Sequence, residues 1–244
     1  MGSYFPIPSD FKFDDNELPI EISLTLVNYP NNFLIKNSNS VFSEKPIFYC
    51  IYFLKGTEWH KYEEIKCAFG ESLEIKRKDI KLPSETMIVI VPAKSSFNPP
   101  KTPILPVPFS NRIDKSPVAE RASYNFRIGK SVTSYQGEYP YQMTKLRYGS
   151  FFSSDSLRLD ENKEIFCSVI LINLLSEASL KKNNIINFCK KPLEKPIFTT
   201  EARSNKCNLI KLPNSGKIDD TFFMTSSTSS FIPLFINVLK IKNN

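Results

Sequence analysis

One histidine, five cysteines, a few adjacent acid pairs and one tyrosine-rich basic stretch are the chemistry-bearing side chains of this 244-residue sequence. His60 could act as base to a thiol, and Cys67 is the nearest cysteine in sequence. A single histidine cannot build a His-based metal cage. Cys50, Cys67, Cys167, Cys189 and Cys207 are odd in number and show no CxxC pair, so neither a closed disulfide framework nor a structural zinc site is expected. Several sit in apolar runs such as FYCIYF, where a thiol behaves as a small buried hydrophobe. The seven glycines never cluster, and GxSxG, GxGxxG and Walker patterns are missing, which removes phosphate-cradling loops.

Carboxylate chemistry needs two acids across a pocket. The adjacent pairs are Glu63 with Glu64, Asp160 with Glu161 and Asp219 with Asp220. Neighbours on a strand point to opposite faces, and the last two pairs lie in turn-like contexts, so turn chemistry accounts for them. No catalytic residue, metal or cofactor is assigned, and the balance leans away from an enzyme.

The stretch from Ser134 to Ser156 is different in kind. Tyr135, Gln136, Glu138, Tyr139, Tyr141, Lys145, Arg147 and Tyr148 put rings, planar polar groups and cations into one short span. Rings that stack on a sugar face, with amides and carboxylates beside them, are what a glycan site requires, and an arginine could hold the carboxylate of an acidic sugar bidentately. The competing structural reading is that the tyrosines plug one end of a β-sandwich with their hydroxyls tied to backbone.

The elements that must carry these residues read as strands. Aromatic content is high, with 20 Phe and 10 Tyr, and eighteen prolines against seven glycines make proline the main punctuation. From Ile20 to Leu26 apolar and polar residues alternate as in a half-buried strand, while Pro46 to Leu54 is apolar nearly throughout, as in a central one. Thr57 to Gly70 fits a helix or a strand, with the strand favoured in its second half. Leu73–Ile75 and Met87–Val91 complete a first set. A second set comprises Ser123–Ile128, Glu164–Leu175, Ile185–Cys189, Ile197–Thr200, Cys207–Leu212, Thr221–Thr225 and Ile232–Ile241, with Pro233 demoting the last to an edge and Ser176 capping a short helical turn.

Between the sets, Pro92 to Pro117 holds seven prolines and no glycine, so it reads as an extended strap. Its spacings at Pro100, Pro103 and Pro106 also fit a ligand for an SH3-type groove. The expected organisation is an all-β, antiparallel β-sandwich or jelly-roll-like protein: an N-terminal arm (1–17), a first β unit (18–92), a Pro-rich connector (93–118) and a second β unit (119–244). The alternative is one large β domain (18–244). EKPIF and IKLP each occur twice and in the same order, at unequal separations that exclude a strict repeat.

A net charge of +7 admits polyanion partners, but lysine is spread along the whole chain, so nucleic-acid binding is weakly supported. The first fifteen residues carry acid and lack the basic-then-apolar order of a secretory signal, and no apolar run reaches membrane-spanning length, so a cytoplasmic setting is expected. The function these features favour is non-catalytic binding of a glycan or glycan-bearing protein partner. The alternatives are an assembly protein using strand edges and the strap, homo-oligomers included, a carboxylate-dependent carbohydrate-active enzyme, and a basic nucleic-acid binder.

Overall fold

The structure is a computed structural model that describes residues 2–9, 11, 20–28, 45–96, 98–109, 122–145, 150–153, 164–189, 191, 194–212, 223–226 and 229–240. It is all-β, with every paired strand antiparallel. The chain divides into two compact units, Met1–Gln142 with Ser176–Ser179, and Met143–Leu175 with Leu180–Asn244.

The first unit contains β1 (Ser3–Ile7), β2 (Glu21–Asn28), β3 (Ile47–Lys55), β4 (Glu58–Cys67), β5 (Glu71–Lys76), β6 (Ile88–Ala93), β7 (Lys101–Thr102), β8 (Ala122–Ile128), β9 (Ser131–Gln136) and β10 (Tyr139–Pro140). One sheet runs β10-β1-β6-β3-β4-β7 and the other β5-β2-β8-β9. The aromatic run of β3 lies between β6 and β4, as its near-continuous apolar sequence requires. Strict alternation in β2 buries Ile22, Leu24 and Leu26 and turns Ser23 and Thr25 the other way. Tyrosine hydroxyls tie the two sheets together: Tyr124 on β8 donates to the Pro6 carbonyl on β1, and Tyr49 on β3 donates to Val27 on β2.

Three features depart from the sequence expectation. β4 is a strand over its whole length, because it pairs with β3 from Lys55↔Glu58 to Ile47↔Cys67 after the tight Gly56–Thr57 turn, where Gly56 takes φ 64°. The N-terminal arm contains β1, whose five residues are all buried. Its proline is tolerated because Ser3 and Tyr4 pair with β10, whereas Phe5, Pro6 and Ile7 pair only with β6, leaving the Pro6 nitrogen on an open side. The SEASLKK segment forms a bridge and a turn at Glu177–Ser179, with no helix.

The described part of the proline-rich segment, up to Phe109, lies within the first unit, as do Ala122–Gln142, so the division falls at Gln142/Met143. Its carbonyls explain why. Proline lacks an N–H but keeps an acceptor, and the carbonyls of Pro99, Pro100, Pro103 and Pro106 take hydrogen bonds from Tyr52 Oη, the Lys61 amide, the Ala178 amide and Tyr4 Oη. The PxxP prolines are thereby engaged inside their own unit.

The second unit contains β11 (Ser150–Ser153), β12 (Glu164–Asn173), β13 (Asn183–Cys189), β14 (Phe198–Arg203), β15 (Lys206–Lys211), β16 (Phe223–Ser226) and β17 (Ile232–Lys240). The sheets β11-β16-β13-β14 and β15-β12-β17 share one core of Val169, Leu171, Ile186, Phe188, Ile210 and Met224. β17 carries Pro233 and pairs, among the described residues, with β12 alone, as an edge strand should. The EKPIF copies both lead into strands, β3 and β14, whereas the IKLP copies differ: one is irregular chain and the other ends β15.

Candidate binding face

The tyrosine-rich stretch is divided by strand alternation. β9 pairs with β8 in the register Ser123↔Gln136, Tyr124↔Tyr135 and Asn125↔Ser134, so Tyr135 points inward and Gln136 and Ser134 outward. Tyr135 is half-buried, edge-on to Phe126 with ring centroids 5.9 Å apart. Gly137 follows directly under the Tyr124 ring, where any Cβ would collide with it. Tyr139 is 0% exposed in β10, opposite Tyr4, and Tyr141 is half-buried, its ring 6.2 Å from that of Tyr4. Gln136 and Glu138 are brought together, the amide donating to both carboxylate oxygens at 3.0 and 3.3 Å. Lys145 is exposed and belongs to the second unit, while Arg147 and Tyr148 lie outside the described residues.

What the fold does assemble is the outer face of β5-β2-β8-β9. Register places Ser23 beside Asn125 and Thr25 beside Ser123, and β9 adds Ser134 and Gln136. The Asn125 amide donates to Thr25 Oγ1 at 3.1 Å and to Ser23 Oγ at 3.5 Å, and the Ser134 hydroxyl donates to Asn125 Oδ1 at 2.7 Å. Three strands, β2, β8 and β9, thus present one hydrogen-bonded array of small polar groups, with the long charged side chains of Glu21, Glu74, Lys76 and Arg127 beside it. This face floors a hollow of about 560 Å³ with Glu21, Glu74, Lys76, Lys78 and Arg127 around it.

Two of the cations around that hollow are balanced, Lys78 by Glu21 at 3.2 Å and Lys76 by Glu74 at 3.8 Å. Arg127 stands opposite Glu21 in register, yet its guanidinium has no side-chain partner among the described residues. Glu74 is opposite Thr25, four residues along β2 from Glu21, so the two backbone positions are offset by about 13 Å along the strands.

The remaining chemistry candidates are tied up elsewhere. His60 and Cys67 lie seven positions apart on the extended β4, about 20 Å, so they form no nucleophile–base pair. His60 stacks near Phe53 at 5.6 Å, and the Cys67 thiol points at the Glu71 and Ala68 carbonyls. Glu64 accepts from Asn98 and pairs with Lys61 at 3.5 Å, while its neighbour Glu63 is exposed. Among the described residues no group of three His, Cys, Asp or Glu side chains could hold a metal ion. Asp160, Glu161, Asp219 and Asp220 lie outside the described residues.

Cys50 allows a direct check of this electrostatic picture. It is fully buried with its thiol 3.4 Å from Glu64 Oε2. Burial, then the hydrogen bond and negative charge of Glu64, push the thiol from 9.0 up to about 12. The unfolded thiol ionises first, so its contribution to stability is complete below about pH 9 and fades as pH rises toward about 12. Native protein at pH 8 should therefore leave Cys50 unalkylated by iodoacetamide in peptide mass spectra and label it fully in urea. Rapid native labelling would show the thiol to be accessible and ionisable.

Serine and threonine spaced by apolar residues in EISLTLV, together with SYNFR, are the sequence signal for this face. No family model matches the sequence, and neither a curated protein nor a solved structure matches it.

Proposed function

We propose that the chain is a non-catalytic β-sandwich binding protein and that its ligand, a glycan or glycan-bearing partner, lies on the polar face of β5-β2-β8-β9. The observation that carries this reading is the Ser23–Thr25–Asn125–Ser134 array, whose hydroxyls and amide are hydrogen-bonded side by side and reach the hollow through Ser23 and Asn125. A sugar ring offers alternating donors and acceptors, and hydroxyl groups that rotate to give or take a proton suit it. Charged groups at the rim add orientation, and both rim carboxylates are already engaged by lysines.

The assembly reading has less support. Ser204 N–H donates to Lys182 on the β13 side, so by alternation the backbone groups of Arg203 point away from that strand. The Asn208 side chain takes both of them, accepting from Arg203 N–H at 2.8 Å and donating to its carbonyl at 3.0 Å. Glu201, Arg203, Lys206 and Lys211 line the adjoining groove, and short, charged edges discourage strand addition. A nucleic-acid surface would need one sign of charge, whereas the hollow mixes both.

The test is a glycan array followed by calorimetry on the best hit. Asn125→Ala removes the centre of the array and should weaken binding at least tenfold, about 1.4 kcal/mol, while a melting curve confirms that the fold persists. Undiminished binding by a folded Asn125→Ala protein would move the site elsewhere.

A further inference from the structure

We propose that the ligand of this hollow is an acidic, N-acylated sugar, with its carboxylate held by Arg127 and its acyl methyl resting on Val132; the inference builds on the glycan reading above. Three observations converge. The hollow contains three cations and two carboxylates, and both carboxylates are spent on lysines, so Arg127 is the one cation there without a partner among the described residues. An unpaired guanidinium facing a hollow is a fork of donors in the geometry of a carboxylate. Neutral sugars would leave that fork to water.

Val132 supplies the second element. It is the Cα partner of Arg127 across the β8–β9 hairpin, so the two side chains rise together on one face at about 5 Å between their Cβ atoms. It is 52% exposed and lines the same hollow, where the other apolar lining residue, Ile22, is buried at 3% exposure and the rest are polar or charged. One exposed apolar side chain next to a carboxylate site matches a substituent that is itself a small apolar group on a polar ring, as the methyl of an acylamino group is. The third element is the array itself: Asn125 lies two residues before Arg127 on the same face, with Ser23 and Ser134 beside it, ready for ring or side-chain hydroxyls. From β2 to β9, the face thus offers hydroxyl donors and acceptors, then a cation, then a methyl-sized apolar surface.

The test uses four probes in calorimetry or saturation-transfer NMR: the methyl α-glycoside of N-acetylneuraminic acid, its methyl ester, the analogue with hydroxyl in place of acetamido, and neutral N-acetyllactosamine. The acid should bind at least tenfold more tightly than its ester and several-fold more tightly than the hydroxyl analogue. Arg127→Gln should erase the preference for acid over ester without weakening the ester. Val132→Ser should erase the preference for acetamido over hydroxyl. If acid and ester bind alike, and both depend on Asn125, the acidic-sugar inference is overturned and the glycan reading stands. If none of the four binds and the glycan array is also blank, the glycan reading itself fails. If the acid preference survives Arg127→Gln in a folded protein, another cation is the carboxylate site and the assignment to Arg127 is overturned.

Discussion

Arg77→Ala is expected to destabilise the first unit by about 3 kcal/mol, a large share of the 5–15 kcal/mol that holds an ordinary domain. Arg77 is 2% exposed and opens the irregular chain between β5 and β6. Its Nη1 donates to the Ile80 carbonyl at 3.1 Å, and Nη2 donates to Leu82 at 3.3 Å and Pro83 at 2.8 Å. Hydrogen bonds to charged groups contribute about 1.5–3 kcal/mol each, and part of that returns when the freed carbonyls reach water, which brings the net loss to the stated size. Nε has no partner, so the residue is held by its planar fork alone. Arg77→Lys should therefore recover less than half the loss, because an ammonium cannot span three carbonyls in that geometry. The chain's single tryptophan, Trp59, is buried in the same unit and reports unfolding by fluorescence. At an m-value of about 2 kcal/mol/M the urea midpoint should fall by roughly 1.5 M. A fall of less than about 0.3 M would mean that the fork does not hold the loop.

In the second unit the largest effect is expected from Asn173→Ala, again about 3 kcal/mol. Asn173 is fully buried at the end of β12. Its amide donates to Ser229 Oγ at 3.0 Å and to the Ser230 carbonyl at 2.8 Å, and its Oδ1 accepts from the Asn205 amide at 3.3 Å. Ser229 passes the chain on to Asn184 Oδ1, and Asn205 Oδ1 accepts from the Leu175 amide at 2.7 Å. Removing the central amide takes three buried hydrogen bonds out of a network that joins β12 to two other segments, and bonds in such a network reinforce one another. Asn205→Gly is the informative comparison. Asn205 sits at φ 51°, where glycine is at ease, so relief of backbone strain offsets part of its lost side chain and the penalty should be clearly smaller. Hydrogen exchange of β12, β13 and β17 amides would rank the two. Equal protection loss would mean that the backbone turn, not the Asn173 amide, organises this end.

Local patterns carried most of the fold. Alternation marks β2 and continuous apolar runs mark β3 and β6, because each reflects burial on one or two faces of a single strand, and Pro233 marks an edge because it lacks a ladder donor. The first half of β4 was obscured because EWHKYEE has neither a clean period nor an apolar run, and its conformation is set by pairing with β3. β1 was obscured by its proline, which is acceptable only because the strand changes neighbours at Phe5.

The binding face was harder to see for a reason of distance. Tyrosines concentrated in sequence are separated by the two-residue period of β9 and by the entry of Tyr139 into β10 beside β1. Conversely, Ser23 and Asn125 are 102 residues apart and each looks like the ordinary outer side of a strand. Only the β2–β8 register makes them one surface.

The carbonyl of Ser176 accepts from the Trp59 indole at 3.0 Å and from the Leu105 amide at 2.9 Å, and residues 176–179 belong to the first unit. On a translating ribosome this has a cost in time. β1 must wait for β6 and then β10, and the buried indole of Trp59 waits for an acceptor made 117 residues later. At roughly 5–20 residues per second that wait is on the order of 10 s. By then β12, the central strand of one sheet of the second unit, has already been synthesised. The nascent first unit therefore cannot complete its hydrogen bonds before synthesis of the second has begun.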